Sequence, residues 1–261
     1  MKAERIGSGR KLLLVHGLGG SWRSWSPVLE SLAACREVIA IDLPGHGGSP
    51  AQSGSGTFKG LADSLEEYLL ANDLHEVDMA GVSLGGRLVL EMARRGSAGD
   101  VVALDPGGFW RAWERGYFRW TLTASLQLLR LLRSSLPLLS ASAVTRTALL
   151  AQLSARPWAL PRALVERELT SFATTPTVGP LIRDLADGPA QKAPVAPTTG
   201  RVTIGWGRKD RLCPPRQAER ASAAFPNARL HWFENSGHYS IWDCPVRATR
   251  LILECTGSDK R

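Results

Sequence analysis

The segment Val77-Asp78-Met79-Ala80-Gly81-Val82-Ser83-Leu84-Gly85-Gly86-Arg87-Leu88-Val89-Leu90 sets the architecture of this chain. It opens on a short apolar run (Val77, Met79, Ala80) suited to a strand. It closes on a helical pattern, with Leu88, Leu90 and Met92 set among Arg87, Glu91 and Arg94. Between the two stands a single Gly-x-Ser-x-Gly, made by Gly81, Ser83 and Gly85. A sharp strand-to-helix turn with Ser83 at its tip accounts for that spacing. The residues two before and two after the serine have to be small, because strand and helix nearly touch there, and Gly86 adds room. The tip lies at a helix N-terminus, where free N–H groups and the helix dipole favour a developing negative oxygen.

Working outward, the flanks repeat one alternation. Upstream, Lys11-Leu12-Leu13-Leu14-Val15 is a continuous apolar run that ends in His16-Gly17-Leu18-Gly19-Gly20. A second run, Arg36 to Asp42, ends in the turn formers Leu43 to Pro50. Helical periodicity separates these strands over Ser24 to Leu32, with Pro27 near its start, and again over Leu61 to Leu69. Downstream, Asp100 to Asp105, Arg201 to Asp210 and Ala228 to Phe233 read as further strands. Helices are expected at Pro215 to Phe225 and Pro245 to Glu254, and a frayed polar tail over Thr256 to Arg261. Strands buried on both faces and alternating with helices predict an α/β fold, a mostly parallel, doubly wound sheet with active residues at the carboxyl ends of its strands.

From Phe109 the strand-like runs stop for about ninety residues. One helical stretch carries Leu122, Leu126, Leu129 and Leu132, preceded by Trp110, Trp113, Tyr117, Phe118 and Trp120. Another runs from Pro161 to Phe172, and prolines break up the remainder. A helical cap over residues 109–195 is therefore expected above a core of residues 1–108 and 196–261. Its aromatic and leucine residues chiefly pack the insertion onto the sheet.

The net charge of +8 is concentrated in this insertion, where Gly107 to Val195 hold 11 Lys/Arg against 5 Asp/Glu. No dense basic run or nucleic-acid motif accompanies it, so no nucleic acid is expected and the surplus reads as a solvated arginine-rich surface. Contact with an anionic membrane surface is a lesser alternative. No signal peptide or membrane-spanning run is legible. Cys35, Cys213, Cys244 and Cys255 are scattered, which suits free thiols in a reducing cytoplasm and argues against a zinc site.

A serine hydroxyl is a weak nucleophile at neutral pH. It needs a base, and the base needs an orienting carboxylate. Among the histidines, His238 follows the last strand in Ser236-Gly237-His238, a turn that lets an imidazole reach Ser83. His16 and His46 lie in glycine-rich loops and are expected to order them, while His75 and His231 read as surface or helix-end residues. Asp210 and Asp105 both end strands. Asp210 is preferred because it gives the chain order Ser…Asp…His.

Together, His16-Gly17, Asp42-Leu43-Pro44-Gly45-His46-Gly47-Gly48-Ser49, Gly81 to Gly86, Gly207-Arg208-Lys209-Asp210 and Ser236-Gly237-His238 resemble the α/β-hydrolase superfamily, in particular its small, capped serine esterase-like branch with a cap after the sixth strand. The resemblance implies that Ser83 attacks an acyl carbon, with His238 as base and then acid and Asp210 orienting it. It places the oxyanion hole on the backbone N–H groups of Leu18 and Leu84. It implies no metal and no organic cofactor, and a small-molecule ester as substrate. Trp22 and Trp25 follow the His16 loop and are expected chiefly in packing. Ser83 stands where epoxide hydrolases and haloalkane dehalogenases carry aspartate. Carbon–carbon hydrolases of aromatic ring-cleavage pathways share the serine and a similar cap, but many carry Gly-Asn-Ser-Met-Gly-Gly at this turn. They, and a non-catalytic ligand receptor on the same scaffold, are the alternatives to a carboxylesterase of small or medium acyl esters.

Overall fold

The computed structural model describes residues 1–257 apart from Pro197. Seven strands form one sheet in the order β1-β3-β2-β4-β5-β6-β7. They are β1 (Ala3–Ile6), β2 (Lys11–Val15), β3 (Glu37–Ile41), β4 (Asp78–Val82), β5 (Val101–Leu104), β6 (Val202–Gly207) and β7 (Arg229–Phe233). All neighbours pair in parallel except β1, which runs antiparallel to β3 in the register Ala3 to Ile41. This first strand gives no clear signal in the sequence. It is short, carries Glu4 and Arg5, and sits at an edge, where polar side chains meet solvent.

Helices α1 (Ser26–Ala33), α2 (Phe58–Ala71) and α3 (Leu84–Arg95) connect the first strands, and α9 (Arg216–Ala224), α10 (Ser240–Asp243) and α11 (Pro245–Cys255) accompany the last. The period-2 geometry of the strands sorts the core into two layers. Leu13 and Val15 of β2 join α2, α3 and α9 on one face, whereas Leu12 and Leu14 join α1 and α11 on the other. Both faces are apolar, which is why these strands read as continuous rather than alternating runs.

Between β5 and β6, the described residues form helices without strands: α4 (Ala112–Leu131), α5 (Leu136–Leu139), α6 (Ala143–Leu150), α7 (Arg162–Thr174) and α8 (Val178–Asp187). The insertion leaves from the fifth strand of this chain. Leu122, Leu126 and Leu129 of α4 turn inward as their spacing predicts, and Trp110 and Phe118 are buried, but Trp113 and Trp120 stand exposed. Helices α5, α6 and α8 are missing from the sequence reading. In α8, Gly179 and Pro180 look like breakers, yet they fall in its first turn, where a proline has no hydrogen bond to lose. The expected polar tail lies outside the described residues from Ser258 onward. Thr256 is not frayed but buried, its hydroxyl donating to the Ile252 carbonyl and accepting from Arg36.

Candidate active site

Strand β4 ends at Val82 and helix α3 begins at Leu84, leaving Ser83 alone to make the turn. Its backbone takes φ 57° and ψ −114°, a strained conformation for a residue with a side chain, held by its neighbours. The Ser83 N–H donates to the Leu104 carbonyl at 2.9 Å, and its carbonyl accepts from the Arg87 N–H at 3.0 Å. The glycines are required by contact. A Cβ on Gly81 would stand 2.2 Å from the Gly85 oxygen, and one on Gly85 would stand 2.1 Å from the Val15 oxygen.

The strand ends bring the other groups to Ser83. Asp210 follows β6 and His238 follows β7. The Ser83 hydroxyl lies 2.8 Å from Nε2 of His238, whose Nδ1 lies 2.7 Å from Oδ2 of Asp210. The other Asp210 oxygen accepts the N–H groups of Leu212 and Cys213, both at 2.8 Å, so the carboxylate is fixed from two sides. With a proton on Nδ1 pointing to Asp210, Nε2 is an acceptor for the serine proton. Asp105, the other candidate carboxylate, is fully buried and accepts the Gly207 N–H at 2.7 Å; among the described residues it makes no bond to His238. Burial, reinforced by the charge of Asp210, pushes the Asp105 carboxyl well above its usual range.

The His238 turn is pinned by residues that sequence reasoning passed over. One carboxylate oxygen of Asp243, in α10, accepts the Gly237 N–H and the Ala155 N–H, both at 2.8 Å, and the other accepts the Ser154 hydroxyl. The Tyr239 N–H donates to the Leu153 carbonyl at 3.1 Å. Both contacts tie the histidine turn to the helical insertion. No local motif marks Asp243, because Ser154 and Ala155 are far away in the chain and Gly237 lies across a turn.

His16 and His46 order the loops around Leu18. The Nε2 of His16 accepts the Leu43 N–H at 3.1 Å, and its Nδ1 faces the Gly17 carbonyl at 2.7 Å, which is the pattern of a neutral ring. Burial holds His16 down at about 4, and burial together with the neighbouring His16 holds His46 down at about 3. His231 differs from the sequence reading: it sits within β7, half-buried against Phe233.

Ser83 and His238 open onto a cavity of about 250 Å³ beneath the insertion, lined also by Leu18 and Leu84. The N–H groups of Leu18 and Leu84 make no hydrogen bond among the described residues, and that of Leu84 is one of the unpaired first donors of α3. Trp22 and Trp25 do not line the cavity; Trp25 is buried in the core. Polar residues not singled out from the sequence also line it, among them Arg87, Glu168 and Tyr239. Arg87 is bound to the neutral oxygens of Gln191 and Pro189, and its guanidinium lies 4.0 Å over the Phe58 ring. Burial brings it down to about 10. Glu168 accepts the Ser24 hydroxyl at 2.6 Å, and burial raises its carboxyl.

Ligand atoms of Asp210, Cys213 and His238 lie within 4.8 Å of one another. They are a poor set for a metal. The histidine and aspartate are spent on each other and on Ser83, and burial, with Asp210 and Asp105 nearby, keeps the Cys213 thiol well above its ordinary value. No described helix is long and apolar enough to cross a membrane.

The family model described as the alpha/beta hydrolase family matches residues 12–250, and the chain belongs to that family. An uncharacterized protein of Mycobacterium tuberculosis is 28% identical over 261 residues, covering 96% of this chain and 76% of its own length. Among solved structures, a thermophilic esterase from Thermogutta terrifontis superposes with a TM-score of 0.75 at 21% identity, covering 97% of this chain and 91% of the esterase. A meta-cleavage product hydrolase from Pseudomonas fluorescens gives 0.71 at 18% identity, covering 97% and 92%. These likenesses establish a shared fold.

Proposed function

We propose that this member of the α/β hydrolase family is a carboxylesterase acting on small or medium acyl esters through Ser83, His238 and Asp210. The observation that carries the proposal is the hydrogen-bonded series from the Ser83 hydroxyl through His238 to Asp210, opening onto a largely apolar cavity. In this reading residues 109–195 are the cap over a core of 1–108 and 196–261, and the protein works in the cytoplasm, where its four free cysteines stay reduced. A cavity of about 250 Å³ lies near the lower bound of about 300 Å³ for small-molecule sites, which suits short acyl chains.

The chemistry follows from the geometry. The ester carbonyl enters beside Ser83, and the hydroxyl attacks it as Nε2 of His238 takes the proton. Asp210 holds the imidazole in the tautomer that can do this and stabilises the imidazolium. The carbonyl oxygen becomes an oxyanion held by the N–H groups of Leu18 and Leu84. His238 returns its proton to the departing alcohol, leaving an acyl-serine. Water, activated by the same histidine, then releases the acid and restores Ser83. No cofactor is required.

The test is turnover of p-nitrophenyl acetate, butyrate, octanoate and palmitate by the wild type and by Ser83→Ala. Turnover should favour the shorter chains and be lost in the variant. Unchanged activity in Ser83→Ala would reject the mechanism.

A second reading is favoured by Arg87. Arg87 is one of the residues lining the cavity, and among the described residues no carboxylate lies within ion-pair distance of its guanidinium, so a cation is available near the site for a substrate carrying a carboxylate. A carbon–carbon hydrolase of ring-cleavage products would use this feature. Turnover of a vinylogous diketone acid exceeding that of every ester, and lost in Arg87→Met, would establish that reading over the first.

A further inference from the structure

Tyr239 follows His238 directly and is 6% exposed, with its ring stacked on Trp242 at 3.9 Å between centroids and edge-on to His238. Its backbone is tied to Leu153 and its ring is clamped, so the hydroxyl has one place to go. That place is the cavity, which Tyr239 lines together with Ser83 and Leu18. No protein group among the described residues hydrogen-bonds the hydroxyl, and it is not one of the sealed-off unpaired polar atoms, so its proton is free for a molecule in the cavity.

Gly17 locates the hydroxyl. A Cβ on that glycine would stand 2.4 Å from Oη of Tyr239 and 3.3 Å from Cβ of Ser83. The glycine is therefore needed to make room for the tyrosine, and the hydroxyl and the nucleophile flank one point beside the Gly17 α-carbon. The next residue is Leu18, whose N–H faces no other acceptor. Oη thus stands on the side of Ser83 where a substrate carbonyl oxygen would be held, between the nucleophile and the loop that carries one of the two backbone donors.

We propose that the Tyr239 hydroxyl is a third donor to the substrate carbonyl oxygen, supplementing the N–H groups of Leu18 and Leu84 as that oxygen becomes negative. This rests on the acyl-transfer reading above and adds a side-chain donor to it. The group suits the role. Burial, with the charges of Glu168 and Asp105 nearby, raises the phenol well above its ordinary range, so it stays protonated and able to donate at every working pH. It moves no proton to substrate: His238 still takes and returns the serine proton, and Tyr239 supplies only the hydrogen bond. Its ring, fixed by Trp242 and His238, meets the developing charge with little reorganisation.

Tyr239→Phe removes the oxygen and keeps the ring, so the stack on Trp242 and the fold persist. The measurements are kcat and KM for p-nitrophenyl butyrate, with the second-order rate of Ser83 labelling by a fluorophosphonate, whose phosphoryl oxygen occupies the same hole. The variant should lose about 10- to 100-fold in kcat, less than the loss of a sole side-chain donor because two backbone donors remain, with KM changed less than about threefold. Labelling should slow in parallel, and the pH at half-maximal kcat should stay in place because the His238–Asp210 pair is untouched. A residue that only packed the site would alter thermal stability and leave this kcat-against-KM split unmoved. A variant with wild-type kcat and labelling rate overturns the assignment of Tyr239 while leaving the triad reading intact. A wild type that neither turns over ester nor labels at Ser83 overturns the acyl-transfer reading, and the tyrosine role with it.

Discussion

Acid should destabilise this protein through His16, and the structure fixes both the sign and the size. The imidazole is fully buried, with Nε2 accepting the Leu43 N–H and Nδ1 donating to the Gly17 carbonyl. Protonation would set a second donor against the Leu43 N–H and charge a ring 5.1 Å from that of His46. Burial accordingly lowers His16 from 6.5 to about 4. In the unfolded chain the ring titrates normally, so between those values the unfolded state binds more protons. The neutral ring's contribution is complete above about pH 6.5 and disappears as the pH falls through 4. By linkage, about 2 kcal/mol is gone at pH 5 and about 3 kcal/mol at pH 4. His46, lowered to about 3, acts in the same direction, though the two rings repel and their losses are not additive. The assay is urea unfolding of the wild type and His16→Leu between about pH 7 and pH 4.5. The variant should be weaker by about 1–3 kcal/mol at neutral pH, because Leu43 loses its acceptor, and the gap should close on acidification. Carboxylates held down by cationic neighbours, such as Asp63 beside Lys59 and Arg95, and Glu114 beside Arg220, lose stability in acid in both proteins and cancel in the difference. Parallel loss in the two proteins across this window would refute the reasoning.

Other consequences are as direct. Asp210→Asn should cut kcat by about three to four orders of magnitude by releasing the His238 tautomer, whereas Asp105→Asn should cost less than about tenfold; steady-state kinetics of the two variants decides which carboxylate serves the histidine. Gly85→Ala puts a Cβ 2.1 Å from one backbone oxygen and 2.5 Å from another, so it should destabilise by at least about 3 kcal/mol, read from the urea midpoint. Asp243→Asn weakens the clamp on the Gly237 and Ala155 N–H groups, and should lower kcat about tenfold or more while leaving the far-ultraviolet spectrum unchanged.

The α/β class and the Ser83 turn are legible because they depend on local chemistry. The apolar runs of β2 to β6 are buried on both faces, and Gly81 is demanded by the Gly85 oxygen four residues on, while Gly85 is demanded by the Val15 and His16 oxygens at the end of the neighbouring strand β2. The meeting of Asp210 and His238 with Ser83 follows from one rule, that strand ends in a parallel sheet converge. What resists reading depends on long-range partners. Strand β1 is a strand only because β3 accepts it, and α8 runs through Gly179 and Pro180 because its first turn tolerates them. Arg87 looks like the polar face of a helix, Glu168 like a solvated charge and Asp243 like a surface acid. Their roles arise from Gln191, Ser24 and Gly237, each far away in the chain or across a turn.

Peptide mass mapping after reaction with a fluorophosphonate bears most directly on the central claim. One adduct on Ser83 is expected, abolished in Ser83→Ala and slowed in His238→Ala, with ester turnover lost in step with labelling. No adduct, or an adduct elsewhere with Ser83 untouched, would contradict the assignment of Ser83 as the nucleophile.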